Sequence, residues 1–445
     1  MAVTADASDL VVGDLVDLDI GPPAHGGSCV ARYLGRVVFV RLALPGEHVR
    51  VRITDARPGG FCRGDAVDVL RADPDRVVPP CSHFGPCGGC DLQHATGERQ
   101  RSWKAAVVEE QLRRLGGVTM SVVVEPLDDR TDRTDLTAGF GWRTRVRWAL
   151  DDDGRIGPRA ARSHQVIPLT PDEPCLIAAP GLSELASGLQ PPDGIRRSVA
   201  RHELRGRAAD RRRKGRDRRA GHHGAGFPEV VLAVDSTGRP AVTWDGEQPG
   251  VLDERAVGRD FGVAGDGFWQ VHPAAAEALA VAVDDAVADR LPAGGAAWDL
   301  YGGVGLFAAV LADRVGSAGS VLTVEGDQAA SSLAAANLAD LPQVTAVADR
   351  VEAALARPPD VLPQVHRPVD AVILDPPRSG AGRELCTAIA GREPAVIVYV
   401  ACDPAALGRD TAALAAAGYR LESLRAFDAF PQTHHVECVA VFLRS

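Results

Sequence analysis

The side chains in this sequence best suited to chemistry fall at the ends of apolar runs in its C-terminal part. Ala296 to Phe307, AAWDLYGGVGLF, reads as a short strand ending near Asp299, a tight turn through Gly302, Gly303 and Gly305, and a helix entered at Leu306. Glycines suit a turn where backbone must bend sharply and let a ligand approach closely. Glu325 closes the next strand, VLTVE, 20 residues past Gly305. That spacing lets a carboxylate reach the ribose hydroxyls of a nucleoside cofactor. An ordinary strand–helix turn would show the same glycines, so the later runs decide between the two readings. VTAVAD ends at Asp349, AVILDPPR reaches Asp375, and VIVYVACDP reaches Cys402. Glu437 lies in the apolar run of DAFPQTHHVECVAVF, where an unpaired carboxylate would cost several kcal/mol. Both a structural salt bridge and an active-site base with a raised pKa fit it.

A second constellation is PPCSHFGPCGGCDLQH, in which Cys81, Cys87 and Cys90 form C-x5-C-x2-C in a glycine-rich loop. Three thiolates gathered this way suit either an iron–sulfur cluster, needing a fourth cysteine, or a zinc site closed by His94. Cys175, in TPDEPCL, is the best remote fourth ligand, and four soft sulfurs favour the cluster. Cys29 and Cys62 lie in strand-like runs and read as core, as do Cys386 and Cys438.

The elements that position these residues follow from periodicity. Ala-rich stretches such as Gln328 to Leu338 and Pro404 to Ala417 alternate with near-continuous apolar strands. This pattern predicts a parallel, doubly wound sheet buried on both faces, with ligands bound outside the carboxyl ends of its strands. Asp299, Glu325, Asp349, Asp375 and Cys402 would then face one crevice. Residues 9 to about 70 carry β-branched runs broken by glycine, which predicts a small antiparallel barrel. Arg32, Arg36, Arg41, Arg50 and Arg52 punctuate it, as a nucleic-acid surface or a solvated strand face would require. Glu98 to Leu115 reads as a helix with Val108, Leu112 and Leu115 on one face, stopped by Gly116 and Gly117. Residues 122 to 262 form a β-rich central region, interrupted by the basic stretch Arg196 to Arg219, which suits an exposed phosphate-binding loop.

The chain has 445 residues, 45% hydrophobic, with a net charge of −10 and nine cysteines. Length suggests several domains, and overall acidity confines any nucleic-acid contact to local basic patches. The polar N-terminus and the lack of a long apolar run predict a cytoplasmic protein without membrane contact.

GGSCVARYLGRVVFVRLALPGEHVRVRI resembles the TRAM domain, a barrel appended to RNA-modifying enzymes. CSHFGPCGGC, FWQVHP, DLYGGVGLF, DPPRSG, YVACDP and FPQTHHVE follow one another as they do in the TRAM-containing, iron–sulfur class of S-adenosylmethionine-dependent RNA (uracil-5-)methyltransferases. The resemblance runs from about residue 9 to the end and fails mainly across the basic stretch. It implies an α/β fold: a Rossmann-like, doubly wound class I methyltransferase domain over 263–445, preceded by a TRAM, OB-like barrel over 1–72. The cysteine-rich loop would span 73–97, a helix packing on the catalytic domain 98–121, and a central β-rich domain 122–262. It implies a 4Fe–4S cluster on Cys81, Cys87, Cys90 and Cys175. S-adenosylmethionine contacts are implied for Gln270, Tyr301, Glu325, Asp349 and Asp375, which Asp299, Gly303 and Gly305 of the strand end and glycine turn join as cofactor-binding residues. Cys402 becomes the nucleophile and Glu437 the general base of a monomeric enzyme acting on ribosomal or transfer RNA.

The chemistry agrees. Carbon 5 of uracil becomes nucleophilic only once a thiolate has added to carbon 6, and a base must later remove the carbon 5 proton. Two rivals share parts of the pattern. A methyltransferase for another base or for a protein amide would need no nucleophilic cysteine, and a non-catalytic RNA-binding protein would need neither Cys402 nor Glu437.

Overall fold

Alternating burial along short β-branched strands closes the N-terminal segment on itself. In the computed structural model, which describes residues 10–57, 60–127, 139–195 and 228–445, β1 (Leu15–Ala24), β2 (Ser28–Tyr33), β3 (Arg36–Arg41), β4 (His48–Ala56) and β5 (Cys62–Arg71) form a closed barrel. Leu18, Ile20, Cys29, Val38, Val40, Val49, Val51 and Cys62 fill its interior. Arg50 pairs in a bidentate manner with Asp17, and Arg41 lies 3.5 Å from Asp65. These two arginines are therefore engaged within the barrel, while Arg52 is exposed. The basic stretch 196–219 lies outside the described residues.

By its contacts the chain divides into two units, Met1–Pro80 with Cys90–Gly139 and Ala274–Ser445, and Cys81–Gly89 with Phe140–Pro273. In the first, α1 (Gly97–Gln111) starts at Thr96, whose hydroxyl accepts the Arg99 amide, an N-cap that satisfies one orphan donor. The helix widens into a π turn over Leu112–Gly116 and stops at Gly117, whose φ is +68°. That turn adds a residue to the helical repeat, which carries Leu115 off the buried face. Leu112 is fully buried, whereas Leu115 is 38% exposed, contrary to the expected stripe. Trp103 and Val107 of α1 enter the barrel core, and Val108 and Leu112 enter the core of the C-terminal sheet. A helix buried on two sides has no single apolar stripe to read.

In the second unit, β7 (Arg145–Leu150), β8 (Ile156–Gly157), β9 (Glu229–Val234) and β10 (Pro240–Trp244) make a sheet in the order β10-β9-β7-β8. A hairpin, β11 (Val251–Ala256) and β12 (Arg259–Ala264), joins it through a buried Arg145–Glu254 ion pair at 3.0 Å. The short α2 (Leu182–Gly188) packs on this sheet through Leu182 and Ala186.

The C-terminal sheet belongs to the first unit. Its strands are β13 (Ala296–Leu300), β14 (Ser320–Glu325), β15 (Val344–Ala348), β16 (Ala371–Leu374), β17 (Val396–Ala401), β18 (Tyr419–Asp428) and β19 (Glu437–Arg444). Its order is β15-β14-β13-β16-β17-β19-β18, with β6 (Val124–Pro126) added in parallel beside β18. β6 thus pairs with the C-terminal sheet, although the sequence places it among the central strands. The connecting helices are α3 (Ala275–Val287), α4 (Leu306–Val315), α5 (Gln328–Asn337), α6 (Val351–Leu355), α7 (Arg383–Ala390) and α8 (Pro404–Ala416). Every residue of β16 and β17 is buried, because both faces of the sheet are covered. The pairings from β15 to β17 are parallel, and β19 runs antiparallel between β17 and β18. Strand order reverses between β13 and β16, the point at which such sheets open a crevice. Among the described residues, no helix is long and apolar enough to cross a membrane.

Candidate active site

The glycine turn after β13 is shaped by what lies under it. A Cβ on Gly302 would stand 2.0 Å from the Thr323 hydroxyl and 2.8 Å from the Asp299 carboxylate, so only glycine fits. Gly305 has a φ of +97°, and its Cβ would meet Leu338 at 2.6 Å. Tyr301, between strand and turn, holds a φ of +65°, a costly backbone state for a bulky residue and one that clusters at functional sites. Around Gly303 a Cβ would meet nothing within 4 Å, so the turn borders open space.

Carboxylates rise from the next strand ends. Asp299 is fully buried. One of its oxygens accepts the Ala308 amide at 3.0 Å and the Thr323 hydroxyl at 3.3 Å, and the other has no partner among the described residues. Burial pushes its pKa up to about 7. Glu325 accepts the Gly303 amide at 3.0 Å and the Asp327 amide at 2.7 Å, tying the glycine turn to the end of β14. Asp349 follows β15 and is held by Arg357 at 2.6 and 2.9 Å. Asp375 follows β16, and its amide reaches Leu300 O at 3.2 Å. Its pKa is raised to about 7 by burial and by the charges of Asp299 and Glu325.

The strand register brings a cysteine and a buried carboxyl together. Ala401 of β17 pairs with Cys438 of β19, so the next position in antiparallel register sets Cys402 beside Glu437. The Cys402 thiol is pushed up to about 12 by burial first, then by the charges of Glu437 and Asp375. Glu437, 3% exposed, is raised well above the usual carboxylate range by burial and by Asp375. Arg378 opposes both shifts and lies 3.4 Å from the His435 ring nitrogen. Burial, then the His434 charge, hold His435 down to about 3, so its neutral ring can accept from the guanidinium.

Two supports hold these groups in place. Asp410 of α8 accepts the Ala381 and Gly382 amides and the Tyr399 hydroxyl, the last at 2.6 Å, and so pins the loop after Asp375. The loop before Glu437 is held from α1. Lys104, fully buried, meets Asp428 at 2.5 Å and Phe430 O at 3.0 Å, and Gln100 exchanges two hydrogen bonds with Gln432. Asp91 completes the grip at 2.6 Å from His434 Nδ1. Lys104, Asp410, Asp91 and the His434–His435 pair do not stand out as site residues in the sequence, although FPQTHHVE carries both histidines next to Glu437.

Gln270 is buried in the second unit rather than in the unit of the C-terminal sheet with which the sequence groups it. In that second unit the Gly89 amide reaches Cys87 Sγ at 3.3 Å, and the amides of Ile177 and Ala178 bond Cys175, whose thiol also feels Cys81. Amide donors on sulfur suit thiolate ligands. As placed, no three His, Cys, Asp or Glu side chains among the described residues are close enough to hold a metal ion. His94 is 1% exposed beside Glu47 and Arg76, and burial lowers its pKa to about 4.

A doubly wound sheet with a glycine turn after its first strand, carboxylates on the strand ends beside it and an antiparallel last strand defines a class I methyltransferase fold. Comparison with known proteins narrows the class. The family model of the TRAM domain matches residues 10–67, and that of tRNA (uracil-5-)-methyltransferase matches residues 294–445. An uncharacterized RNA methyltransferase of Streptomyces avermitilis is 42% identical over 97% of this chain and 98% of its own. The 23S rRNA (uracil(1939)-C(5))-methyltransferase RlmD of Shewanella piezotolerans is 30% identical over 96% of this chain and 95% of its own. The enzyme of the same name from Chromohalobacter salexigens is 33% identical over 96% and 89%. The crystal structure of Pyrococcus abyssi tRNA (uracil-54, C5)-methyltransferase with S-adenosyl-L-homocysteine matches over 96% of this chain and all of that one. Its TM-score is 0.62 at 21% identity, a likeness of fold. The chain belongs to the TRAM-containing RNA (uracil-5-)-methyltransferase family.

Proposed function

We propose that this protein forms 5-methyluridine in 23S ribosomal RNA, with Cys402 as nucleophile and Glu437 as general base. The observation that carries the reading is the β17–β19 register, which, continued one position past Ala401–Cys438, puts the Cys402 thiol next to the buried Glu437 carboxyl, with Asp375 near both. Ribosomal RNA is favoured over transfer RNA by two relatives named for the 23S product that match nearly the whole chain.

The glycine turn, the open space at Gly303 and the oxygen of buried Asp299 that has no partner among the described residues fit S-adenosylmethionine, with Tyr301, Gly303, Gly305, Glu325, Asp349 and Asp375 around it. When bound, that cofactor supplies an electrophilic methyl group. The Cys402 sulfur adds to carbon 6 of uracil, and the ring electrons move onto oxygen 4, leaving an enolate whose carbon 5 is nucleophilic. Once carbon 5 carries the methyl group, the Glu437 carboxylate takes the carbon 5 proton. The double bond reforms and expels the Cys402 thiolate. The uridine must leave its stack to reach this site, at a cost of a few kcal/mol. Cys81, Cys87, Cys90 and Cys175 would hold a 4Fe–4S cluster, which gives the protein a broad absorbance near about 400 nm. Stoichiometric zinc without iron would contradict that ligand set.

Two variants separate the steps. Cys402→Ala loses methyl transfer altogether, because carbon 5 never becomes nucleophilic. Glu437→Gln keeps the shape without the base, so addition and methylation proceed while elimination stalls. It accumulates a methylated protein–RNA adduct that survives denaturation and maps to Cys402. Normal turnover by Glu437→Gln, or an adduct in Cys402→Ala, would refute the assignment. Mapping 5-methyluridine in 23S RNA from a deletion strain tests the substrate.

A further inference from the structure

Asp403 follows Cys402 directly and opens α8. Its Oδ1 accepts the Ala406 amide at 2.8 Å, which caps the helix at Pro404. Its Oδ2 lies 2.9 Å from Nε2 of His25. His25 is 378 positions away, in the turn between β1 and β2 of the barrel. That turn is seated firmly: a Cβ on its buried Gly27 would lie 3.0 Å from the Asp91 carboxylate and 3.1 Å from His434. The barrel and the catalytic sheet are parts of one unit, and this turn brings an imidazole to the residue beside the nucleophile.

We propose that His25 is a positioning residue for Cys402: carried on the barrel, it holds and neutralises the Asp403 carboxylate next to the thiol. The proposal rests on the reading of Cys402 as the nucleophile. Three carboxylates, Glu437, Asp375 and Asp403, disfavour the Cys402 thiolate, and Arg378 is the cation that opposes them. A second cation on Asp403 removes one of those repulsions and fixes the strand-to-helix junction that carries the sulfur. The Asp403 hydrogen bond raises the His25 pKa, while burial and Arg409 lower it. Asp403 itself is held below the usual range by His25 and by the Ala406 amide, against burial. The charged pair therefore exists below the raised His25 pKa and is lost as pH rises through it.

The test reads the sulfur itself. Alkylation of Cys402 by iodoacetamide in the full chain, followed by mass spectrometry, needs neither RNA nor cofactor. His25→Ala slows it about tenfold near neutral pH and lowers kcat by a similar factor, with KM for RNA changed less than about twofold. The ratio of wild-type to variant rates falls toward one as pH rises through the His25 pKa. His25→Gln, which keeps a donor without the charge, lies between the two and covers the case in which the alanine variant folds poorly. In an Asp403→Asn background, which keeps a capping oxygen, His25→Ala has no further effect. Unchanged alkylation, an equal loss in the Asp403→Asn background, or a raised KM with kcat kept would overturn the proposal. The reading of Cys402 fails separately, if Cys402→Ala still methylates RNA.

Discussion

Arg378 stands against both groups that exchange protons in the proposed reaction. It is the cation that opposes the upward shifts of Cys402 and Glu437, and it is steadied by the neutral ring of His435 at 3.4 Å. A positive charge beside an acid favours its ionised form, so removing it raises both pKa values further. Catalysis needs the thiolate and the carboxylate, so the rate climbs with pH as the two groups ionise. Arg378→Gln should therefore lower the neutral-pH rate and move the ascending limb of kcat/KM to more alkaline pH. The measurement is methyl incorporation into RNA across pH, with folding followed in parallel. An ascending limb at the wild-type position would remove Arg378 from the electrostatics of the site.

Helix α8 organises the site at the level of elements, because its N-cap is Asp403, beside Cys402, and its second turn presents Asp410 to the loop after Asp375. Asp410→Ala would leave the buried Tyr399 hydroxyl and the Ala381 and Gly382 amides without their acceptor, costing on the order of 3 kcal/mol. Urea unfolding should register that loss, and the affinity for S-adenosylmethionine should fall with it, since the freed loop carries Asp375. A variant as stable as the parent would show that the loop is held by other means. Much of this architecture is legible in the sequence. The strand, turn and helix around Gly302 fall within a residue or two of the structure, as do Gln328–Asn337 and Pro404–Ala416, because apolar runs and glycine breaks are local signals. Cys402, Glu437 and Asp375 stand out as candidates in the sequence because they end or begin such runs. The supports were not legible. Gln100 and Gln432 are 332 positions apart, and a hydrogen bond between them leaves no periodic trace in either segment. The π turn likewise moves Leu115 outward without any change in the residues that predict a helix.

Across the whole molecule, α1 decides whether barrel and catalytic sheet behave as one body. Trp103 and Val107 lie in one core, Val108 and Leu112 in the other, and Lys104 between them forms a fully buried ion pair with Asp428. Burial disfavours the ammonium and holds the Lys104 pKa below the usual lysine range, and the Asp428 charge and hydrogen bond offset only part of that. A buried pair of this kind costs desolvation on both sides, so removing one partner is far worse than removing both. Lys104→Met strands a carboxylate in the interior, a loss of about 3–5 kcal/mol, whereas Lys104→Met with Asp428→Asn should recover most of it. Because α1 belongs to both cores, the loss should be shared. Hydrogen exchange in Lys104→Met should accelerate together in β4 of the barrel and in β17 of the sheet, within one cooperative transition. Faster exchange in β17 with β4 unchanged would mean that the barrel is stable on its own. The His25–Asp403 contact would then be a docking of two independent bodies rather than an internal bond.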